Sequence, residues 1–207
     1  MNFQIAEIFR SIEGETTTTG FPATFIRLSG CNLNCSYCDS THAKYGGQTK
    51  SIDEIMSKVQ SLGHVHHVTV TGGEPLLQSG SAELIDGLCK AGFNVQVETN
   101  GSYPFREINK AARIIADVKT PSSNAGGSFL MENLNVLKPN DEIKFVICTI
   151  EDYAFAKEFL EANKVIATVN FSAAEGLIDT RDLAQWILRD ALNVRLNIQL
   201  HKILNMN

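Results

Sequence analysis

Ala23-Thr-Phe-Ile-Arg27-Leu-Ser-Gly30-Cys31-Asn-Leu-Asn-Cys35-Ser-Tyr37-Cys38 is the stretch on which the reading of the chain turns. Its opening six residues form a β-rich run, and three cysteines follow at i, i+4 and i+7 on the loop that leaves it. Three thiolates on one short loop can hold three irons of a cubane [4Fe–4S] cluster and leave the fourth iron open for chemistry. A structural zinc site normally closes with four ligands in two separated pairs, and the nearest further candidate here is His42. A disulfide framework is not expected: the five cysteines are an odd number, and Met1-Asn2-Phe3-Gln4 opens no charged-then-apolar leader. Cys89 and Cys148 lie in apolar runs and read as small buried hydrophobes.

Working outward, 207 residues with 43% hydrophobic content can bury one substantial core, and no Pro/Ser/Gly-rich linker divides them. The expectation is a single domain over residues 1–207, with the cluster loop at 30–41. A net charge of −5 lacks the basic stripe that grips phosphate backbone, so a nucleic-acid partner is not expected. No apolar run approaches the roughly 18 residues that cross a bilayer, so neither is a membrane. A cytoplasmic enzyme fits these bounds.

Periodicity gives strands at Phe3–Ile8, Ala23–Leu28, His67–Thr71, Phe93–Glu98, Ile114–Val118, Ile143–Ile147, Ala167–Phe171 and Val194–Ile198. Helices fall between them. Ser51-Ile-Asp-Glu54 is a capping box opening a helix to about Ser61, and others fit Ser81–Lys90, Glu151–Asn163 and Thr180–Ala191. This α/β alternation favours parallel strands with helices packed outside. Roughly half a dozen β/α units, where a closed barrel has eight, predict an incomplete, partial β/α barrel.

In such folds the loops after strand C-termini converge on one rim. The cysteine loop follows one strand end, and Val70-Thr71-Gly72-Gly73-Glu74-Pro75 follows the next. Paired glycines let backbone approach a ligand closely, and Glu74 adds a charge suited to an ammonium group. Alone this is ordinary turn chemistry. One β/α unit after the cysteine triplet, it resembles the radical S-adenosylmethionine superfamily. The resemblance implies that S-adenosylmethionine chelates the open iron, that Gly72, Gly73 and Glu74 hold its ammonium, and that Tyr37 lies beside the adenine. It also implies reductive cleavage to a 5′-deoxyadenosyl radical that takes hydrogen from a substrate.

Further strings narrow the likeness: Glu7-Ile-Phe-Arg-Ser-Ile-Glu13-Gly14-Glu15, Phe25-Ile-Arg27, Cys38-Asp39-Ser40, Glu98-Thr99-Asn100-Gly101, Asp117-Val-Lys119-Thr-Pro121-Ser122-Ser123 and Gln199-Leu-His201-Lys202. In this order, over residues 3 to about 204, they resemble the 7-carboxy-7-deazaguanine synthase family. That family contracts the ring of 6-carboxy-5,6,7,8-tetrahydropterin with loss of ammonia, in the 7-deazapurine (queuosine precursor) pathway. The likeness implies Mg²⁺ at Ser40, an electron donor such as flavodoxin, and a homodimer. A hard cation that keeps waters suits so sparse a protein site.

Arg27 interrupts an apolar run just before the cluster loop, and its guanidinium fork suits the substrate carboxylate. Ile12, Glu13 and Glu15 stand where the family meets the pterin edge. The family commonly has Gln where Glu13 stands, replacing a donor-and-acceptor amide by an acceptor-only carboxylate. Thr71 is expected at the substrate, Thr99 and Ser122 at the cofactor, although the same residue types also make ordinary turns. His201 is carried to the substrate pocket by its terminal motif. His64, His66 and His67 read as turn residues before a strand, since no Cys, Asp or Glu accompanies them.

Two other readings stay open on the sequence. A glycyl-radical-enzyme activase would carry the same cysteine triplet and need a protein partner. A non-catalytic iron–sulfur electron carrier or zinc-binding interaction module would want four ligands and no Gly-Gly-Glu-Pro.

Overall fold

The computed structural model describes residues 1–206. Nine strands form one sheet in the order β3-β1-β2-β4-β5-β6-β7-β8-β9. β1 (Asn2–Ile12) pairs antiparallel with both β2 (Pro22–Leu28) and β3 (Gln48–Ser51). From β2 onward every pairing is parallel, through β4 (His67–Gly72), β5 (Asn94–Thr99), β6 (Arg113–Asp117), β7 (Glu142–Ile147), β8 (Thr168–Ala173) and β9 (Arg195–Asn197). β3 and β9 are the two edges and do not pair, so the expected partial barrel is open.

Helices α1 (Ile52–Ser61), α2 (Ser81–Lys90), α3 (Ile150–Ala162) and α4 (Thr180–Arg189) follow β3, β4, β7 and β8, and the four-residue α5 (Leu200–Ile203) follows β9. The capping box is formed: the Glu54 amide donates to Ser51 Oγ at 3.2 Å, and the Ser51 amide donates to Glu54 Oε2 at 2.7 Å. Two crossovers, β5 to β6 and β6 to β7, carry only loops and short 3₁₀ turns. β1 runs four residues beyond its expected end, with a bulge between Ile5 and Glu7. The polar edge strand β3 has no apolar alternation, which is why periodicity missed it. His67 opens β4, its ring against Phe21 at 5.0 Å. Among the described residues no helix is long and apolar enough to cross a membrane.

Alternation along the strands decides where the core sits. Val68 and Val70, Val95 and Val97, and Ile143, Phe145 and Ile147 point outward beneath the helices and are buried. Their helix-side layer is completed by edge-to-face contacts running Phe105, Phe129, Phe159, Phe145, Phe171, Tyr153. The intervening residues are polar: Thr69 and Thr71, Gln96 and Glu98, Glu142 and Lys144, Asn170 and Ser172. They face the concave side of the sheet. A polar concave face does not collapse into a second core, and a cavity remains there. Its lower end is plugged by the Thr16–Thr19 turn, where Thr17 donates through its amide and hydroxyl to Glu142 at 2.9 and 2.6 Å.

Candidate active site

The cavity, about 570 Å³, is walled at one end by Cys31, Cys35, Tyr37, Cys38, Gly72 and Gly73, and at the other by Arg27, Glu13, Glu15, Glu98 and His201. Both ends belong to one continuous space.

The cysteine loop is held from three directions. The Gly30 amide donates to Ala43 O at 2.8 Å, the Glu74 amide to Gly30 O at 2.9 Å, and Ser36 to the carbonyls of Ser122 and Ser123 at 2.7 and 3.0 Å. Only glycine fits beside it. A Cβ on Gly73 would stand 2.2 Å from Gly30 O and 2.7 Å from Cys31 Cβ; Gly72, at φ +153°, would drive one to 2.2 Å from Leu28 O. The three thiols are free and partly exposed, and neither Cys89 nor Cys148 reaches the cavity. This donor set would fit three irons of a cubane cluster, and Gly72 and Gly73 border the same space. Tyr37 stacks under the Lys119 ammonium at 5.6 Å, and burial holds its phenol well above the usual range.

Three expected cofactor contacts sit differently. Glu74 is fully buried behind the rim, where Oε1 accepts from the Leu76 amide (3.0 Å) and Thr99 Oγ1 (2.8 Å), and Oε2 from the Asn100 amide (2.7 Å). Its carboxylate ties the β4 rim loop to the β5 rim loop. Thr99 borders the cavity but spends its hydroxyl on Glu74. Ser122 stands off the cavity: its amide donates to Asp152 Oδ1 at 3.0 Å and its carbonyl tethers Ser36. Proline after Glu74 and before Ser122 turns each rim loop into a 3₁₀ turn.

At the opposite end Arg27 is fixed before any ligand arrives. Nε donates to Glu7 Oε1 at 2.8 Å, Nη1 to Ser40 Oγ at 3.2 Å, and the guanidinium lies 5.8 Å over Phe9, itself stacked on Phe25. Ser40 donates to Asp39 Oδ1 at 3.1 Å. Ser40 is thus a single hydroxyl beside a guanidinium; it fits Mg²⁺ only if a ligand carboxylate stands between the two cations.

Glu15 is almost saturated. Oε2 accepts from Lys144 Nζ (3.0 Å) and Asn197 Nδ2 (3.2 Å), and Oε1 from Gln199 Nε2 (2.8 Å). Burial raises its pKa, but Lys144 and these bonds outweigh it and bring the group down to about 2. Lys144 continues to Asp117 at 3.7 Å, and Asp117 to Lys119 at 2.9 Å, so alternating charges run along the wall from Glu15 to Tyr37. Glu13, 1% exposed, accepts from Thr69 Oγ1, and Thr71 Oγ1 donates to Glu98 Oε2 at 2.9 Å. The Glu13 backbone is spent in the hairpin, its amide on Phe21 O and its carbonyl on the Gly20 amide, both at 2.8 Å. Ile12 and Thr71 line the same wall. His201, on α5, packs against Gly14, and the Leu200 amide donates to Gly14 O at 2.8 Å.

Sequence reasoning missed Glu98, Lys144 and Gln199 as members of this wall, and Glu7 as the carboxylate that holds Arg27. The signal existed for the first two: a charged residue in the concave register of a strand whose other register is aliphatic, as in Val95-Gln-Val-Glu98 and Ile143-Lys-Phe.

Residues 25–164 match the family model of the radical SAM superfamily, and the chain is a member of that superfamily. Among curated relatives, 7-carboxy-7-deazaguanine synthase of Koribacter versatilis is 43% identical over 97% of this chain and 96% of its own length. The protein of the same name from Methanospirillum hungatei is 42% identical over 98% and 86%. The crystal structure of QueE from Escherichia coli superposes with a TM-score of 0.82 at 25% identity, covering 97% of this chain and 95% of that one. Within the superfamily, the chain belongs to the 7-carboxy-7-deazaguanine synthases.

Proposed function

We propose that the chain, as one domain over residues 1–207, converts 6-carboxy-5,6,7,8-tetrahydropterin into 7-carboxy-7-deazaguanine with loss of ammonia. The observation that carries this reading is the single cavity joining the three cysteines to Arg27 and the carboxylates of Glu13, Glu15 and Glu98. Cys31, Cys35 and Cys38 would hold the [4Fe–4S] cluster; the backbone at Gly72 and Gly73, with Tyr37 alongside, would receive S-adenosylmethionine. Thr99 and Ser122 serve the cofactor indirectly, through Glu74 and through the cysteine loop. When bound, the cluster and S-adenosylmethionine supply one-electron radical chemistry that no side chain here can supply.

The chain's own part is position and exclusion of water. With Nε locked on Glu7, Arg27 presents its remaining N–H groups as a fork for the substrate carboxylate, and that carboxylate with Ser40 Oγ would complete an Mg²⁺ site. Glu15 is ionised at neutral pH and keeps lone-pair capacity on Oε1 for an N–H of the pterin. Ile12 and Thr71 shape the wall between Arg27 and Glu13. His201 closes the cavity from the side of α5, its register fixed by the bond from Leu200 to Gly14. A cytoplasmic setting, a flavodoxin-type electron donor and a homodimer complete the reading. The test is anaerobic turnover of the reconstituted protein with the carboxypterin, scored by formation of the deazapurine. Product is expected from the native chain and none from Cys35→Ala; absence of product from cluster-loaded native protein, with 5′-deoxyadenosine still released, would mean another substrate.

A further inference from the structure

Two carboxylates face the same cavity, Glu13 just past the end of β1 and Glu98 on β5, and their surroundings are unequal. Thr69 and Thr71 lie two residues apart on the concave face of β4, and each donates its hydroxyl to one of them: Thr69 to Glu13 Oε1, Thr71 to Glu98 Oε2. Such a rise separates neighbouring side chains by about 7 Å, too close for two buried charges to ionise independently. Burial raises the pKa of Glu98 as well, with Glu15 adding to it, but Lys144 from β7 and Arg27 from β2 work against that rise and favour its charged form. The cation acting on Glu13 among the described residues is Arg113 from β6, and its guanidinium is committed elsewhere: to Thr17 Oγ1 at 2.7 Å, to Gln96 Oε1 at 3.0 Å, and 3.7 Å from Glu142. His67, two residues before Thr69 on β4, offers no compensating charge, since burial and Arg113 push its pKa down.

We propose that Glu13 and Glu98 hold one proton between them, carried by Glu13 on Oε2, so that the pocket meets its substrate with a carboxylic acid O–H beside a carboxylate. Thr69 marks Oε1 as the acceptor oxygen, which leaves Oε2 for the proton. Burial first, and then the charge of Glu98, push Glu13 up to about 8. An acid next to a carboxylate matches a lactam edge, in which a ring N–H and an amino group donate while the adjoining carbonyl accepts. On the pterin reading, from which this assignment follows, Glu98 accepts the N–H groups and Glu13 donates to the carbonyl. Ionised Glu13 would instead set two acceptors against that carbonyl, leaving it unpaired. Glu13 is then a specificity-determining residue whose protonation state selects the substrate edge.

The test is equilibrium binding of the carboxypterin to cluster-loaded protein between pH 6 and 9.5. Native affinity is expected to be level to about pH 7 and to fall about tenfold per unit above the Glu13 pKa of about 8. Glu13→Gln keeps an N–H donor and cannot ionise, so its profile is expected to be level throughout. Glu98→Gln removes the neighbouring negative charge, and the alkaline fall is expected to begin at lower pH. Independently of any ligand, the infrared carbonyl band of a protonated carboxyl is expected at pH 7 in the native protein and lost in Glu13→Gln. A native profile that stays level to pH 9.5, or a band that survives Glu13→Gln, would overturn the proposal. If the carboxypterin binds at no pH, the functional reading fails while the infrared band still decides where the proton is.

Discussion

Gly14 separates Glu13 from Glu15 and carries α5 on its back, so adding one methyl group there tests how the site is closed. A Cβ at Gly14 would stand 1.9 Å from His201 Nδ1, 2.6 Å from Cγ and 2.9 Å from Cβ. The backbone at Gly14 is not left-handed, so alanine is conformationally acceptable and the whole penalty is steric. Overpacking of this kind costs about 1–3 kcal/mol. What keeps α5 in place is of the same size: the bond from Leu200 to Gly14 O and that from Gln199 to Glu15, at about 0.5–1.5 and 1.5–3 kcal/mol. Gly14→Ala is therefore expected to undock α5 and leave the rest of the fold standing. Hydrogen exchange of the amides of Leu200 and Leu204 should accelerate by about 5- to 150-fold, the equivalent of that cost. In Gly14→Ala/His201→Ala only the 2.9 Å contact survives, and most of the protection should return. Unchanged exchange in the single variant, or no recovery in the double one, would refute the packing argument.

Three other outcomes follow from the site. Glu15 has its folded pKa depressed from 4.5 to about 2, so its contribution is present above pH 4.5 and lost as pH falls toward 2; acid unfolding of the native protein should show about 3 kcal/mol of this slope, and Glu15→Gln should flatten it. Arg27→Ala should weaken binding of the carboxypterin by about tenfold or more while leaving a pterin without the carboxyl group unaffected, measured by equilibrium dialysis. Glu74→Gln sets an NH₂ against one of the two amides that now donate to the carboxylate and should cost about 1–3 kcal/mol in thermal unfolding, together with a lower iron content after reconstitution.

Much of the architecture was legible because the parallel strands bury one face beneath helices, and runs such as Val68–Thr71 and Ile143–Ile147 announce that face. β3 was not, because Gln48-Thr-Lys-Ser51 is held at the edge by pairing with β1 and buries little. The cysteine loop and Gly72-Gly73 could be read directly, since few residue types can do their work. The places of Glu74 and Ser122 could not: the sequence names their chemistry, but the 3₁₀ turns beside them are set by backbone hydrogen bonds. Glu13 read as an acceptor-only departure from the family's glutamine. Its burial within electrostatic reach of Glu98, 85 residues further along the chain, restores on our proposal a donor that no local pattern could reveal.

The central claim is that three cysteines leave one iron open to S-adenosylmethionine at the edge of this cavity. Electron paramagnetic resonance of the anaerobically reconstituted, reduced protein, recorded with and without S-adenosylmethionine, tests it most directly. A [4Fe–4S] signal that changes on addition of the cofactor is expected; a signal that the cofactor leaves unaltered, or a centre with four protein ligands, would rule the open iron out.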